Sequence, residues 1–537
     1  MEMSDFGAAY SCFDNGISFL RKKHWKEHYT LSLELFNLAA KCALTNGDIV
    51  SLELFSQQVL RESQSFEDKL NLLYFETCAL AYSSRLAKSI EKGLDILSKL
   101  GIEVQGTNVE ARVQETKDLL SAHTDDEILN SKQMTDPTMI IAMKFLGKLE
   151  IGMTHLMPKS VLYVTIKIIE LDKWNEPSVP VRVCLLWLLL SQAGNINKGY
   201  HYVKLALSLL DKVGSRENVG EVIFVCTQVK SYVEPLQATL EYHHEGYAAA
   251  MASGDSSQAI LNLLALNSSS FFAGENLQRI QEQCDITIQL CEERKQVIFM
   301  VQAQQFQRSS SKLIGTGEEP KYSSEGRDIL ASNSSVLRSC HYHTAYVSFI
   351  FRSYDDAIEN IEKYFALQET TWGNLFLAHA YHAFYIGLIS FWVARKSREE
   401  QQWYQRGNKT KLALKRWAQS SQWSFENKWY LLEAEESFCN NDFDAAKTYY
   451  EKAVSSAKSH KFVHEEALAC ELAAYFYLEL GEINKSVEYF LRAHERYHEW
   501  GAIGKCNSLF KFVGGIIKFH NYPSVSLCWI PLNKIRR

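Results

Sequence analysis

Histidine and cysteine side chains could bind a metal ion at two places in this sequence. His379 and His382 are three residues apart, a spacing that puts both on one face of a helix. Cys340, His341 and His343 are also close together, but adjacent positions on a helix point in different directions. A zinc site needs more than two ligands, and no carboxylate or cysteine near the histidine pair completes one. The sequence therefore predicts no metal site.

Motifs for nucleotide binding and for hydrolytic catalysis are missing. There is no G-x-x-x-x-G-K-[ST] loop, no H-E-x-x-H, no G-x-S-x-G and no kinase catalytic loop. Gly315-Thr316-Gly317 could approach a phosphate, but nucleotide folds place such a loop between a strand and a helix. Four His-Glu dipeptides resemble the start of a phosphoacceptor helix, and their histidines are His244, His464, His494 and His498. No ATP-binding segment with glycine-rich boxes follows them. We expect no catalytic residue, no cofactor and no enzymatic activity.

Composition excludes further classes of protein. Only 8 prolines occur in 537 residues, which favours long helices, and a hydrophobic content of 46% supplies a large core. The net charge of −6 gives no basic surface for nucleic acid. The twelve cysteines include no Cys-x-x-Cys pair, and MEMSDFGAAY has no signal-peptide pattern. Reduced thiols and a cytoplasmic location are the expectation.

One segment has the length of a membrane span. Residues 370–394 contain no Asp, Glu, Lys or Arg. Polar side chains nevertheless occur along it, at Asn374, His379, His382 and Ser390, and they would be costly in a bilayer. A helix that is buried on all sides within a helical protein has the same composition. We therefore predict a core helix and no membrane partner.

Two segments near the C-terminus, residues 427–462 and 467–501, share one pattern of small and aromatic residues. In each, a small residue, an aromatic and a second small residue follow at intervals of four and three, as in the second helix of a tetratricopeptide repeat (TPR). Asp442 can cap that helix in the first segment. Small side chains let paired helices approach closely, which predicts these packing positions: Ala434, Ala446, Tyr450 and Ala453, then Ala474, Ser486, Phe490 and Ala493.

Weaker copies of this pattern occur upstream. Ala357 follows a predicted capping box of Ser353 and Asp356, and Ala259 follows a Gly254-Asp255 turn. Strand-like alternation of apolar and polar residues is nearly absent. The sequence thus predicts an all-α protein, a TPR-like array of helical hairpins that forms an α-solenoid or superhelix.

Residues at both ends of the chain match a known family. They are Trp25 and Tyr29 near the N-terminus, and Glu465, Glu466, Ala467, Glu471, Trp500, Gly501 and Lys505. Through them the chain resembles the TPR-like helical region of multi-domain signalling kinases. In that family a serine/threonine-kinase-like domain and an AAA-type predicted ATPase come first, and GAF sensors with a histidine kinase follow. The resemblance implies a regulatory region whose partner is a protein: neighbouring kinase or ATPase domains, or a signalling partner.

The sequence divides into five predicted segments. They are N-terminal hairpins (6–121), central degenerate repeats (122–313), a mobile linker (314–330), TPR-like repeats (331–515) and a tail outside the family pattern (516–537). We expect a non-catalytic regulatory or protein-interaction region of a signalling ATPase–histidine-kinase type protein. Two alternatives stay open. The chain could be part of an active protein kinase or ATPase whose catalytic domains lie elsewhere, or it could be a stand-alone scaffold.

Overall fold

The computed structural model describes residues 5–83, 85–104, 111–112, 114–116, 118, 122–130, 134–156, 160–172, 196–213, 218–317, 320–367, 377–396 and 400–519. Within these ranges the chain is all-α and contains no strand. Two single 3-10 turns, Glu67–Lys69 and Leu236–Thr239, join longer helices. The predicted fold class is confirmed.

The N-terminal and central helices carry the labels used below. They are α1 (Phe6–Ser18), α2 (His24–Glu27), α3 (Tyr29–Thr45), α4 (Ile49–Glu62), α5 (Leu70–Tyr82), α6 (Leu86–Lys99), α7 (Asp125–Leu129), α8 (Pro137–Leu156), α9 (Val161–Asp172), α10 (Ile196–Val213), α11 (Val219–Lys230), α12 (Leu240–Ser253), α13 (Ser256–Ala273), α14 (Leu277–Glu293) and α15 (Val297–Ile314).

The C-terminal helices continue the series. They are α16 (Ser324–Ser332), α17 (Ser334–Ile350), α18 (Tyr354–Ala366), α19 (Leu377–Ala394), α20 (Glu400–Ser420), α21 (Gln422–Cys439), α22 (Phe443–Ser459), α23 (Val463–Glu479), α24 (Ile483–Trp500) and α25 (Ile503–Phe519).

Consecutive helices pair as hairpins through short turns. The most extensive contacts join α23 to α24, α19 to α20 and α21 to α22. Asn441, in the turn between α21 and α22, has a φ of 58°, a left-handed conformation that asparagine tolerates better than most residues. Asp442 then caps α22, because its carboxylate accepts a hydrogen bond from the Ala445 amide at 3.1 Å. Ser353 precedes α18 but makes no side-chain capping bond, so the predicted box with Asp356 is wrong.

The predicted packing positions lie inside the C-terminal hairpins. Ala434, Ala446, Ala474 and Ala493 are buried, as are the aromatic rings of Tyr450 and Phe490. Ala453 is buried too, and the buried Ser486 donates its hydroxyl to the Ala474 carbonyl at 2.9 Å, across the hairpin of α23 and α24. The small serine side chain therefore permits a close approach of the two helices, and its hydroxyl is hydrogen-bonded to the backbone of the facing helix.

Helix α19 is the one described helix that is long and apolar enough to cross a membrane. Inside the protein, 83% of it is buried. Its Tyr381 ring stacks on Phe272 with 4.2 Å between ring centroids, and Tyr385 meets Tyr346 edge-on at 4.6 Å. The apolar composition of α19 is thus matched by protein neighbours on its faces. The first residues of the predicted segment, 370–376, lie outside the described part.

The array also closes on itself through contacts between distant hairpins. The turn after α3 meets two turns of the central repeats: the Thr45 hydroxyl donates to the Gly254 carbonyl at 3.2 Å, and the Arg294 guanidinium donates to the Thr45 carbonyl. Gly315, after α15, lies directly against Gly504 at the start of α25. In an open solenoid each repeat touches only its neighbours. This chain instead bends until its ends reach its middle.

The predicted segment boundaries do not divide the core. One hydrophobic cluster contains buried residues from both sides of the 121/122, 313/314 and 330/331 divisions. Residues 324–330, predicted as linker, belong to helix α16, which Ser323 caps by accepting from the Gly326 amide at 3.0 Å. Helix α25 also continues through Phe519, past the predicted start of the tail. Prolines 177 and 180 and residues 520–537 lie outside the described ranges.

Candidate binding cleft

A cleft of about 330 Å³ opens where the N-terminal hairpins face the central repeats. Helices α3, α5 and α8 supply two of its walls, and the turn between α12 and α13 closes it from the other side. This arrangement depends on the contact between Thr45 and Gly254, which holds that turn against the end of α3. The cleft is therefore a product of the closure and could not exist on one hairpin alone.

Lys148 and Tyr82 form a pair in the wall of this cleft. The Lys148 ammonium lies 4.5 Å from the centroid of the Tyr82 ring and 3.4 Å from its hydroxyl oxygen. Burial alone would lower the pKa of Lys148, but its interactions with Tyr82, Cys78 and Asp255 raise the pKa by more. The net shift is upward, so the ammonium stays charged. Burial raises the pKa of Tyr82 to about 12, so the phenol stays neutral. The same pair lines a smaller adjoining cavity of about 40 Å³.

The cleft contains charges of both signs. Lys41 and Lys144 add to the positive charge of Lys148, and the acidic side chains are Glu221 and Asp255. The Asp255 carboxylate is used as the N-cap of α13, where it accepts from the Gln258 amide at 3.1 Å. Among the ion pairs of the described residues, no carboxylate lies within 4 Å of the Lys148 nitrogen. Its nearest polar neighbour is the neutral phenol.

Amide side chains line the cleft between these charges. Asn37, Asn71, Asn218 and Gln258 all contribute to its surface. The Asn37 Oδ1 and Gln258 Oε1 atoms are buried and accept no hydrogen bond from any described residue. Each is a strong acceptor, and leaving it unpaired costs about 1–3 kcal/mol. Both oxygens are enclosed by the protein, whereas the exposed Asn71 presents its amide to the cleft.

The thiol in the cleft is unsuited to nucleophilic catalysis. Cys78 is 2% exposed, and burial raises its pKa, which keeps the sulfur protonated. Reactive cysteines have the opposite shift, because the thiolate is the nucleophile. The phenols beside it, Tyr74 and Tyr82, have raised pKa values too, mainly through burial. These neutral groups can bind a ligand, but none of them is activated for covalent chemistry.

The residues that carry the family resemblance lie elsewhere, and three of the nine are in buried ion pairs. Glu465 pairs with Lys428 at 2.8 Å, and Glu471 pairs with Lys505 at 2.6 Å. Tyr497 also donates its hydroxyl to Glu471 at 2.8 Å. All of these side chains are fully or almost fully buried. They join α21 to α23 and α23 to α25, so their role in this chain is to hold hairpins together.

The remaining family positions are structural as well. Trp500, Ala467 and Glu466 are buried, and Gly501 takes a φ of 89° at the end of α24. Near the N-terminus, Trp25 is buried, and Tyr29 donates its hydroxyl to Asp68 at 2.7 Å. None of the family positions lines the cleft. Sequence reasoning singled out the scaffold and missed Lys148, although a lysine pair at 144 and 148 in the apolar helix α8 was an available signal.

The histidines and the cysteine considered as metal ligands contact separate partners. His382 stacks on Tyr342 with 3.5 Å between ring centroids, whereas His379 meets Trp417 edge-on at 5.8 Å. His341 is within 3.0 Å of the Asn360 amide oxygen, and Cys340 is 3.8 Å from the Tyr322 hydroxyl. In the part of the chain that the structure describes, no three His, Cys, Asp or Glu side chains are placed to hold a metal ion together.

His343, the last of that group, should make stability depend on pH. Its ring is enclosed by Phe271, Phe306 and Tyr342, its Nδ1 lies 3.0 Å from the Ser309 hydroxyl, and burial lowers its pKa to about 3. Between pH 3 and 6.5 this ring is protonated in the unfolded chain and neutral in the folded chain, so the free energy of unfolding falls as the pH decreases through 6.5. From pH 7.5 to 5.5 this histidine should cost about 1.4 kcal/mol.

The measurement is urea unfolding of the His343→Phe variant at both pH values. Other buried histidines, His243 and His464 among them, also have lowered pKa values through burial, so the wild-type loss is a sum. The variant should lose less stability than the wild type by the share of His343. A His244→Gln control, at an exposed position, should behave like the wild type. An unchanged pH dependence in His343→Phe would show that the ring is not kept neutral.

Comparisons with known proteins add a likeness of fold. No protein-family model matches the chain, and no curated protein matches its sequence. Among solved structures, the chain is similar to a Rap protein complexed with competence and sporulation factor, with a TM-score of 0.33 and 8% identity over 73% of this chain and 98% of that chain. It is also similar to a monomeric IFIT1 mutant with Gppp-AAAA, with a TM-score of 0.26 and 13% identity over 92% and 95%.

A third similar structure is a circular tandem repeat protein with novel repeat topology, with a TM-score of 0.13 and 10% identity over 95% of this chain and 96% of that chain. All these scores are low, so the fold class rests on the chain's own helices, which form a helical-repeat protein. None of the three proteins is named as an ATPase, a sensor or a histidine kinase. The expectation of such a parent protein therefore rests on the sequence resemblance alone.

Proposed function

We propose that this chain is a non-catalytic helical-repeat protein that binds a segment of a partner protein in the cleft. The observation that carries the proposal is the cleft lining. It combines an ammonium without a carboxylate within ion-pair distance, Lys148, with amide side chains that include the exposed Asn71. Concave surfaces of stacked helical hairpins suit the binding of extended chains. A bound segment would pair with this ammonium and hydrogen-bond to the exposed amide.

The binding would serve regulation in a signalling protein of the ATPase–histidine-kinase type. The support for this context is the resemblance at Trp25, Tyr29 and the block from Glu465 to Lys505. The cleft walls come from hairpins that are distant in sequence, so occupying the cleft favours the closed arrangement over any opened one. A neighbouring ATPase or kinase domain, in the cytoplasm, would sense that shift.

The second candidate function is a part in an active enzyme. It would require the kinase or ATPase domains of the family to lie outside this chain, with ATP bound there. The cleft lining does not favour ATP, because it contains no arginine and no glycine-rich phosphate loop. Isothermal titration of the full chain with Mg-ATP should give no heat of binding. A stoichiometric heat that Asn71→Trp removes would instead show that this chain itself binds nucleotide in the cleft.

The proposed function is tested by selecting peptides from a random phage library on the full chain. Peptides should be enriched on the wild type and lost on Asn71→Trp, because Asn71 is an exposed residue of the lining and an indole there fills the cleft. Asn15→Trp, an exposed asparagine outside the lining, is the matched control and should keep the same binders. If the selected peptides bind Asn71→Trp as well as the wild type, the cleft is not the binding site.

A further inference from the structure

Lys148 differs from the lysines that the fold buries for its own stability. Four lysines of the described residues are buried, and each has a carboxylate within ion-pair distance: Lys230 with Glu234, Lys411 with Glu433 and Glu436, Lys428 with Glu465, and Lys505 with Glu471. Lys148, partly buried in the cleft wall, faces a neutral phenol instead. A charge removed from water is costly unless it is paired. Lys148 therefore lacks the carboxylate partner that the buried lysines have.

We infer that the cleft takes an extended peptide segment that carries an acidic side chain, whose carboxylate pairs with Lys148. This inference rests on the proposed function and names the chemistry of its ligand. The Lys148 nitrogen has one protein neighbour at hydrogen-bond distance, the Tyr82 hydroxyl at 3.4 Å, so donor capacity remains for an incoming oxygen. Lys41 and Lys144, in the same lining, leave the cleft with a small excess of positive charge.

The balance of charges favours a carboxylate over a phosphate. Three lysines line the cleft, but Glu221 and Asp255 line it too, and they would repel a dianion more strongly than a monoanion. Sites for phosphate typically use arginine forks or several backbone amides, and arginine is missing from this lining. A ligand with a single negative charge can pair with Lys148 while being repelled less by Glu221 and Asp255 than a phosphate would be.

The amide side chains of the lining favour a ligand that brings N–H donors. The exposed Asn71 presents an acceptor oxygen to the cleft, and a simple dicarboxylate has no N–H to donate to it. A peptide backbone supplies one N–H per residue, which matches such acceptors. At about 330 Å³ the cleft is at the small end for ligand pockets, so it suits a few residues of a longer chain.

The experiment uses the peptides that Asn71→Trp loses, resynthesised with each acidic residue changed to its amide. Fluorescence anisotropy with the full chain should show one Asp or Glu whose replacement by Asn or Gln weakens binding about tenfold or more. Lys148→Met should weaken the acidic peptide to the level of its amide form and leave the amide form unaffected. Lys148→Arg should keep the preference, since the charge is retained. A third peptide carries phosphoserine at the acidic position.

Thermal melting of the unliganded chain distinguishes a lysine that binds a ligand from a lysine that stabilises the fold. Because Lys148 has no carboxylate partner in the protein, Lys148→Met should leave the Tm of the unliganded chain unchanged or higher. A lowered Tm would mean that the lysine serves the fold and would overturn the inference.

Other outcomes separate the inference from the proposed function. Cleft-dependent peptides without an acidic preference, or with binding that Lys148→Met does not change, would overturn the inference and leave the proposed function standing. Tighter, Lys148-dependent binding of the phosphoserine peptide would replace the carboxylate with a phosphate and also overturn it. If no peptide depends on the cleft at all, the proposed function fails first.

Discussion

Replacing Lys428 with Met should lower the free energy of unfolding by about 3–5 kcal/mol, the usual cost of leaving one partner of a buried ion pair alone. Lys428 is completely buried, and its ammonium lies 2.8 Å from Glu465 and 2.7 Å from the Ser424 carbonyl. Burial raises the pKa of Glu465 and lowers that of Lys428, because it disfavours both charged forms. The attraction between the two charges partly offsets this cost. Urea unfolding of the single variants gives the measurement.

The double variant Lys428→Met/Glu465→Gln should be more stable than the sum of the single changes predicts, by up to about 3 kcal/mol. An exposed pair in the same repeats is the matched control. Lys447 and Glu482 are 3.2 Å apart, and about a third of each side chain is exposed, so Lys447→Met should cost less than about 1 kcal/mol. Equal losses at Lys428 and Lys447 would contradict the argument from burial.

The second large effect is expected from one methyl group at Gly504. A Cβ at this position would lie 2.8 Å from the Gly315 Cα, 2.9 Å from its nitrogen and 3.0 Å from the Leu313 carbonyl oxygen. All three are backbone atoms, so no side chain can rotate away. Gly504→Ala should therefore destabilise the protein by about 3 kcal/mol, the upper end of the usual cost of overpacking. Thermal or urea unfolding measures the loss.

The control for this prediction lies in the same helix. A Cβ on Gly514 would meet nothing within 4 Å, so Gly514→Ala should gain up to about 1 kcal/mol from better helix propensity. The two substitutions are chemically identical and differ only in whether α25 touches the end of α15. If Gly504→Ala stabilised the chain as Gly514→Ala does, the close approach of the two glycines would not exist in solution.

The sequence predicted features that depend on neighbouring residues. The small and aromatic positions of α21–α24 follow from helical periodicity, and the Asp442 cap follows from its position before an apolar run. The Ser353 box was wrong because a capping side chain must also rotate toward the first turn, and a sequence does not state its rotamer. Residues 324–330 were assigned to a linker because polar residues that form turns also start helices.

Features that depend on distant residues could not be predicted. Glu465 and Lys428 belong to different hairpins, so no local spacing marks them as partners, and the resemblance identified the acid but not the base. The cleft was missed for the same reason. Lys148 becomes a binding candidate only when the α12–α13 turn is brought opposite α3, and that placement depends on the path of the whole array. Periodicity gives each helix a buried face, but it does not give the superhelix its curvature.

The meeting of the turn after α3 with the turns at Gly254 and Arg294 has a consequence for how such a chain can change in length. In an open array, duplicating or deleting a hairpin extends or shortens the rod and leaves the other units as they were. Here an added hairpin between residues 47 and 254 would carry the two turns past one another and separate the walls of the cleft. Duplication of a hairpin within this stretch should therefore open the cleft, and a hairpin added between residues 315 and 504 should likewise separate the two glycines that meet there. The number of hairpins between those turns therefore sets how the walls of the cleft face each other.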